Sequence, residues 1–391
     1  MSLLRGPDGR PGPLPVVGVS LASLAAGTFS IVGFGALAPE LEDDLGLSRA
    51  EVGLITSLVF LGAAVTSRKG GALTDRAGPA PVLGISLACF AACIAVAALA
   101  PGQAVLYAAV LVGGLAYGGI NPPTNVVVAG SLARRLGFFL SVKQSGVPLG
   151  GLLAGVVLPP VALALGWRAA IGVAAGAVAL VAATTPLLRN AAILRDARPG
   201  EQGPPMSRRE LVVLGVFGFV MSGTQWTLMT YLTLFLTEEH GFALGAAGLA
   251  LGLAQGLGAG GRLLWGWLSD RPGRRLTVLM LLCASSIACL SLLAADAGGG
   301  LLWAVLVVAG ITTIGWNGAY HALVADRAGP GRIGRATGDT LVFIFSGTVA
   351  LPPLLGLAVD AGGSWTPMWA IGAGAVLVVT LLLRAELRRA R

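Results

Sequence analysis

The chain has 391 residues, of which 55% are hydrophobic and only 11% are charged. Because an average soluble domain carries about 25% charged residues, this chain cannot cover a water-facing surface of its own size. The composition excludes a soluble enzyme, a disordered protein and a secreted disulfide scaffold, and it favours a polytopic membrane protein.

Twelve apolar stretches follow one another along the chain. Each is long enough for a helix that crosses a hydrocarbon core about 30 Å thick, and none alternates apolar and polar residues as the strands of a membrane barrel do. The predicted spans are 14–38, 51–73, 80–99, 104–130, 138–164, 169–188, 211–237, 243–268, 276–295, 301–325, 336–359 and 365–383.

The basic residues lie almost entirely on one side of these spans. If the chain starts in the cytoplasm, 23 of its 26 Lys and Arg residues fall in cytoplasmic segments or at helix ends, Arg262 among them. Only Arg49 and Arg168 fall on the other side, and Lys143 lies inside a span. The positive-inside rule therefore predicts a cell-membrane protein with both termini in the cytoplasm. The net charge of +8 is then a topology signal, and we expect no nucleic-acid partner.

The two halves of the chain repeat each other at a nearly constant offset. The segment 71–78 (GALTDRAG) recurs at 266–273 (GWLSDRPG), 195 positions later. At an offset of 196, Asn121 aligns with Asn317, Asn125 with His321 and Lys143 with Asp339. A duplication therefore accounts for six spans on either side of the long polar connection. The predicted organisation is a tail 1–13, a six-helix bundle 14–188, a cytoplasmic linker 189–210, a second bundle 211–384 and a basic tail 385–391.

The duplicated segment, Gly-x-Leu-x-Asp-Arg-x-Gly between spans 2 and 3 and again between 8 and 9, resembles the signature of the major facilitator superfamily. The first copy departs from it, because Pro79 and Ala80 stand where the family usually has basic residues, while Arg68 and Lys69 lie upstream. The resemblance implies an all-α membrane protein of 12 transmembrane helices, in two pseudo-symmetric bundles around a central cavity.

The two motif aspartates are predicted to act at a cytoplasmic gate. A carboxylate at the end of span 2 or 8 can meet the positive N-terminal end of a neighbouring helix or an Arg, in a contact that exists only when the halves are closed. The alternative is a plain turn with a surface ion pair. The predicted gate residues are Gly71, Asp75, Arg76, Gly78, Gly266, Asp270, Arg271 and Gly273.

Glycines at four-residue spacing predict close helix packing. They form a ladder Gly248, Gly252, Gly256 and Gly260 on span 8, and span 5 carries the pairs Gly146–Gly150 and Gly151–Gly155. Small residues at this spacing let two helix backbones approach each other.

Two charges inside the spans are candidates for function, since a charge at depth is costly unless it is paired or hydrated. Lys143 is predicted to face a cavity and bind substrate, with snorkelling to the cytoplasmic interface as the alternative. Asp339 is a candidate for proton coupling, unless Arg332 and Arg335 hold it at the membrane edge. His321 either carries a proton or serves as an inter-helix hydrogen-bond donor.

Polar and aromatic residues near the repeat interface complete the predicted substrate site. Besides Lys143, they are Thr28, Asn121, Asn125, Gln144, Gln225, Tyr231, Trp316 and Asn317.

Together these features predict a secondary active transporter that works by alternating access. It would move a small anionic or zwitterionic organic solute, in symport with a proton, and would act as a monomer among membrane lipids. No nucleotide-binding motif is present, and we expect no cofactor and no metal. The alternative in the same superfamily is a drug/proton antiporter. A channel or sensor is disfavoured by the duplicated gate, and a membrane enzyme by the lack of a catalytic cluster.

Overall fold

A computed structural model describes residues 11–47, 49–132, 135–190, 206–242, 244–271, 273–329 and 332–389. Most of the predicted linker 189–210 and the ends of both tails lie outside these residues. The described chain is helical. Its elements are α1 (Pro13–Ala36), α2 (Ala38–Leu45), α3 (Arg49–Ala77), α4 (Pro79–Ala98), α5 (Gln103–Tyr117), α6 (Asn121–Ser131), α7 (Leu136–Gln144), α8 (Gly146–Leu165), α9 (Trp167–Thr184), a 3₁₀ turn (Thr185–Leu188), α10 (Arg208–Glu238), α11 (Leu244–Ser269), α12 (Arg275–Ala294), α13 (Gly299–Thr313), α14 (Asn317–Ala328), α15 (Ile333–Gly362) and α16 (Thr366–Arg389).

Eleven helical segments in the described residues are long and apolar enough to cross a membrane. They coincide with eleven of the twelve predicted spans. The remaining predicted span, 243–268, corresponds to α11, whose 26 residues are long enough to cross. Its glycines add no apolar side chain, and Gln255 and Arg262 are polar, so its hydropathy is lowered.

Three predicted spans are broken rather than continuous. Span 104–130 divides into α5 and α6, span 138–164 into α7 and α8, and span 301–325 into α13 and α14. The first and third breaks fall at equivalent places of the repeat, because α6 begins at Asn121 and α14 at Asn317. Hydropathy falls at the first and third breaks, because α6 begins with Asn121-Pro122-Pro123 and α14 with Asn317-Gly318, whereas the break between α7 and α8 lies in a largely apolar stretch. Each break brings backbone carbonyl groups and polar side chains to the middle of a span.

Helices from the two halves of the chain pack against each other directly. The most extensive contact joins α3 to α15, and α7 contacts both α11 and α14. Within the halves, α1 packs on α8 and α10 on α15. The end of the molecule at which α3 carries Arg68 and Arg76, α12 carries Arg275 and α15 carries Arg335 is called the basic end below.

The duplicated motif is mostly helical, although the sequence places it between spans 2 and 3 and between spans 8 and 9. Gly71 lies inside α3 and Gly266 inside α11. A Cβ on Gly71 would collide with the Gly334 carbonyl oxygen, and one on Gly266 with Ser141. These two glycines therefore allow close approach between helices, whereas Gly78 (φ +91°) and Gly273 (φ +70°) form the turns that follow.

At the end opposite the basic end, the short helix α2 is attached to the start of α9. The Asp44 carboxylate accepts hydrogen bonds from the Arg168 guanidinium and, at 3.0 Å, from the Trp167 indole. These bonds, with that of Arg168 foremost, hold the pKa of Asp44 below its ordinary value.

The glycine ladder on α11 does not pack as predicted. Around Gly248, Gly252, Gly256 and Gly260 an added Cβ would meet nothing within 4 Å. Two other glycines of α11 make the close approach. A Cβ on Gly258 would meet the Ile314 side chain at 2.5 Å, and one on Gly261 would collide with the Ile311 carbonyl. The packed face of α11 therefore lies against α13.

Of the two predicted pairs on span 5, one packs. A Cβ on Gly150 would collide with the Ala25 carbonyl oxygen of α1, whereas one on Gly155 would meet nothing within 4 Å. We expect Gly150→Ala to destabilise the protein by about 1–3 kcal/mol, because a backbone atom must move. Gly155→Ala, on the same helix, should be neutral or stabilising by up to about 1 kcal/mol. Thermal unfolding of both variants in one detergent measures the difference, and equal melting temperatures would contradict the packing described here.

Candidate functional site

A polar cavity lies at the centre of the molecule, between helices of both chain halves. It has a volume of about 70 Å³, and a second cavity of about 190 Å³ adjoins it through the shared residues Thr28, Gln225, Trp226 and Arg262. Six predicted site residues line the first cavity: Thr28, Asn121, Gln144, Gln225, Asn317 and His321. Thr230 and Gln255 line the second, which extends away from the basic end.

Arg262 is the cation of this cavity. The sequence analysis placed it at a cytoplasmic helix end, and that placement is wrong, because its side chain is only 1% exposed and lines both cavities. Its Nε donates to the Ile314 carbonyl oxygen at 3.0 Å, and an Nη donates to the Gln144 carbonyl oxygen. Gln144 ends α7 and Ile314 follows α13, so Arg262 joins two of the helix breaks.

Lys143 is fully buried and lies behind the cavity lining rather than in it. Its Nζ donates to Asn121 Oδ1 at 2.6 Å, to Thr124 Oγ1 at 3.1 Å and to Asn125 Oδ1. All three acceptors are neutral, so the positive charge of this site is shared with hydrogen-bonding groups and not cancelled. Asn121 separates the Lys143 ammonium from the cavity.

Asn125 and His321 are in direct contact. These two residues occupy equivalent positions of the repeat, and Asn125 Nδ2 lies 3.4 Å from His321 Nδ1. The same amide group donates to Thr337 Oγ1 at 3.2 Å. His321 is 1% exposed, and it lines the cavity. A hydrogen-bonded chain thus runs from Lys143 through Asn125 to His321.

Gln225 of α10 is hydrogen-bonded to two residues at the start of α14. Its Oε1 accepts from Trp316 Nε1 at 2.9 Å and from Asn317 Nδ2 at 3.1 Å. Trp316 is fully buried and holds Gln225 from behind, so it supports the lining without joining it.

An aromatic cluster forms one side of the central cavity. The Phe60 ring centroid lies 5.2 Å from Trp226 and 5.7 Å from Phe345, and Tyr117 lies 6.2 Å from both Phe60 and Phe345. Phe60 and Tyr117 come from the first half of the chain, Trp226 and Phe345 from the second. All four line the cavity.

The electrostatics of the cavity favour an anion. Arg262 lines it, and the Lys143 ammonium lies one side chain behind. None of the described residues that line either cavity is Asp or Glu. Positive charge without a local carboxylate, in a low-dielectric setting, attracts a negatively charged solute.

Two predicted site residues lie elsewhere. Asp339 is at the basic end, where its Oδ1 is 2.9 Å from Arg68 Nε and its Oδ2 is 4.0 Å from Arg335 Nε. Tyr231 packs over Gly356 and against Trp365, whose ring centroid is 6.2 Å away, and it lines neither cavity.

Both motif aspartates cap helices of the other half of the chain. Asp75 accepts from the backbone N–H groups of Gly334 (2.9 Å) and Arg335 (2.7 Å), in the first turn of α15. Asp270 accepts from those of Gly137 (2.6 Å) and Phe138 (2.9 Å), in the first turn of α7. Each carboxylate therefore satisfies orphan donors at the positive end of a helix.

The basic residues of the motif are arranged differently in its two copies. Arg271 lies over the Trp267 ring at 4.6 Å. Arg275, just beyond the second copy, lies 3.8 Å from Asp270 and also pairs with Asp326. Arg76 is exposed and lines a pocket at the basic end.

Membrane-length helices around a polar cavity, closed at one end by contacts between the halves, define a membrane transporter. Residues 19–352 match the Major Facilitator Superfamily, and the chain belongs to it.

The chain resembles several transporters over most of its length. It is 28% identical over 381 residues to an MFS-type transporter of Mycobacterium tuberculosis, covering 94% of this chain and 84% of the relative. It is 29% identical to the gentisate transporter of Corynebacterium glutamicum (88% and 83% covered) and 24% identical to the hexuronate transporter of Bacillus subtilis (94% and 93%). These relatives are transporters and not enzymes, as predicted.

A solved structure has the same fold. The human organic anion transporter MFSD10 superposes with a TM-score of 0.81 at 18% identity, covering 96% of this chain and 100% of that one.

Loss of a motif carboxylate should loosen the closed end. Asp270→Asn keeps the size of the side chain but removes the charge that the α7 N-terminus holds, so we expect the helices around Ser141 to separate more often. A Ser141→Cys reporter, with the four native cysteines replaced by Ala, should react with a maleimide roughly tenfold faster in the Asp270→Asn background.

Asp43→Asn is the matched control, since Asp43 is exposed on α2 at the opposite end. Equal reaction rates in the Asp270→Asn and Asp43→Asn backgrounds would show that the carboxylate does not hold this end closed.

Proposed function

We propose that the protein is a secondary active transporter that moves a small organic carboxylate by alternating access. The single observation that carries the proposal is the burial of Arg262 in the wall of a central cavity whose described lining contains no carboxylate. A carboxylate brought there by a substrate would supply the missing counter-charge.

Arg262 is the proposed anchor of the substrate carboxylate. Its present acceptors are two neutral backbone carbonyl groups, and a carboxylate is a stronger, bidentate partner for a guanidinium. Asn121, Gln144 and Asn317 line the same cavity and can hydrogen-bond to the remainder of the solute. Lys143 acts through Asn121 and raises the local positive potential without touching the solute.

The aromatic cluster favours a planar substrate. Phe60, Trp226 and Phe345 line the cavity, and a substrate ring can pack against their faces and edges. Gentisate is an aromatic carboxylate and a hexuronate is a sugar carboxylate, so the named substrates of two relatives share the group proposed to bind Arg262. Aromatic carboxylates fit both the charge and the ring cluster.

The proposed architecture is twelve spans in two six-helix bundles, formed by residues 14–188 and 211–384. The family, the repeat at 195–196 positions and the equivalent breaks before Asn121 and Asn317 support it. We also propose that both termini lie in the cytoplasm, from the charge bias of the sequence, and that the monomer is the working unit.

Alternating access is proposed to use the two capped helices as its cytoplasmic gate. The contacts of Asp75 with α15 and of Asp270 with α7 join opposite halves, so they break when the basic end opens. The gate residues of the two motif copies, Gly71 to Gly78 and Gly266 to Gly273, then bias an equilibrium between closed and open forms.

His321 is the proposed proton carrier. It lines the cavity, and it is connected to Lys143 through Asn125, so its protonation is felt at the substrate site. Asp339 is less well placed for this role, because it is held by Arg68 at the basic end.

Replacement of Arg262 tests the anchor. Purified protein should gain thermal stability with gentisate or benzoate, and Arg262→Lys should reduce that affinity by roughly a hundredfold, because an ammonium cannot form the bidentate pair. Arg274→Lys, on the α11–α12 turn, is the matched control and should bind as the parent does. Equal affinity in the Arg262→Lys variant would refute the anchor.

The same assay separates the two classes of transporter substrate. If the cationic drug ethidium stabilised the parent protein while the carboxylates did not, a drug/proton antiporter would replace the present proposal.

Replacement of His321 tests the coupling. In proteoliposomes with an imposed proton gradient, His321→Gln should abolish uphill accumulation of the carboxylate but retain counterflow, since only the proton-carrying group is lost. Asp339→Asn should still accumulate substrate. Accumulation that persists in His321→Gln would place the coupling group elsewhere.

A further inference from the structure

A polar pocket that is separate from both cavities described above opens at the basic end, between α3, α10 and α15. Its volume is about 610 Å³, and its lining includes five arginines but only two carboxylates, Asp75 and Asp339. The arginines are Arg68, Arg76, Arg208, Arg332 and Arg335.

The two carboxylates are already engaged. Asp75 accepts from the backbone N–H groups of α15, and Asp339 pairs with Arg68. Among the described residues, neither Arg208 nor Arg332 has a carboxylate within ion-pair distance. Arginines therefore outnumber carboxylates in the lining of the pocket by five to two.

The rest of the lining is apolar. Ala72, Met206, Leu211, Ala328 and Ala336 complete the walls, and the exposed side chain of Leu73 lies on α3 beside Ala72. Guanidinium groups above an apolar crevice, at the end of membrane-spanning helices, match a ligand with an anionic head and an acyl tail.

We propose that this pocket binds the phosphate headgroup of an anionic phospholipid. Arginine suits phosphate because its planar fork donates two parallel hydrogen bonds. The volume exceeds that of several water molecules, each about 30 Å³ in the liquid, so a headgroup fits between the arginines.

Both halves of the chain contribute residues to the walls of the pocket. A bound lipid can therefore influence whether the two halves meet at the basic end. Arg68 and Asp75 belong to the first half, while Arg208, Arg332 and Arg335 belong to the second. The site is complete only while α3 and α15 meet at the basic end. A lipid that binds this form and not the open form stabilises the closed end.

Native mass spectrometry of the detergent-purified full chain tests the site. Titration with dioleoyl phosphatidylglycerol should show one tightly held lipid, with dioleoyl phosphatidylcholine bound at least tenfold more weakly. The double variant Arg208→Gln/Arg332→Gln should weaken phosphatidylglycerol binding roughly tenfold or more, since each basic residue near an anionic headgroup contributes substantially.

The double variant Arg189→Gln/Arg384→Gln is the matched control. It removes the same charge from α16 and the segment after α9, outside the pocket lining. It should bind phosphatidylglycerol as the parent does. Equal weakening in both double variants, or none in either, would overturn the proposal.

Competition with a soluble phosphate ester distinguishes a lipid headgroup from a free phosphate as the ligand. Glycerol 3-phosphate, which lacks acyl chains, should not displace phosphatidylglycerol at equal concentration. Displacement at equal concentration would overturn the lipid assignment. Because the assay does not measure transport, its outcome is independent of the function proposed above.

Discussion

The organisation of the central cavity depends on one buried cation. A guanidinium without water is costly unless its donors are satisfied, and Arg262 satisfies its own with two backbone carbonyl groups. A carbonyl inside a helix already accepts from that helix's own N–H group, whereas one at a break has more of its accepting capacity free. The breaks after Gln144 and near Ile314 therefore favour the burial of this arginine. In return, Arg262 fixes those breaks beside the cavity, since it joins helices of opposite halves.

The basic end is held together by the reverse arrangement, in which backbone N–H groups meet negatively charged side chains. There the free groups are backbone N–H donors at the starts of α7 and α15, and their partners are the partly buried carboxylates of Asp270 and Asp75. Helix N-termini suit anions and free carbonyls suit cations. The central cavity thus uses free backbone carbonyl groups, and the closed end uses free backbone N–H groups at helix N-termini. The bond of Arg262 to Gln144 and the contacts of Asp75 and Asp270 all join the two halves of the chain, whereas the bond of Arg262 to Ile314 lies within the second half.

The sequence predicts the positions of some of these polar residues and misses those of others. The offset of the repeat aligned Asn125 with His321 without predicting their contact, whereas the helix-end location of Asp75 and Asp270 predicted a helix N-terminus or an Arg as their partner. Arg262 was misplaced because it lies only six residues from the end of its predicted span, within reach of snorkelling. Its depth, about 12 Å of helix before Asp270, was the available signal. The prolines after Asn121 and the polar start of α14 at Asn317 were available signals for two of the helix breaks, whereas the direction in which Asp339 points depends on a contact with Arg68 from the other half.

The repeat also explains why the two halves have different chemistry. At an offset of 195, Ser67 and Arg68 of α3 correspond to Arg262 and Leu263 of α11. The cation is thus displaced by one residue, which is about 100° around a helix. That rotation takes Arg68 to an exposed position, where its side chain is 65% exposed and meets Asp339, and leaves Arg262 1% exposed in the cavity wall. One copy of the duplicated helix therefore contributes its arginine to the closed end and the other to the central site, although the motif that follows them is the same. A symmetric protein would have had either two such cations in the cavity or none.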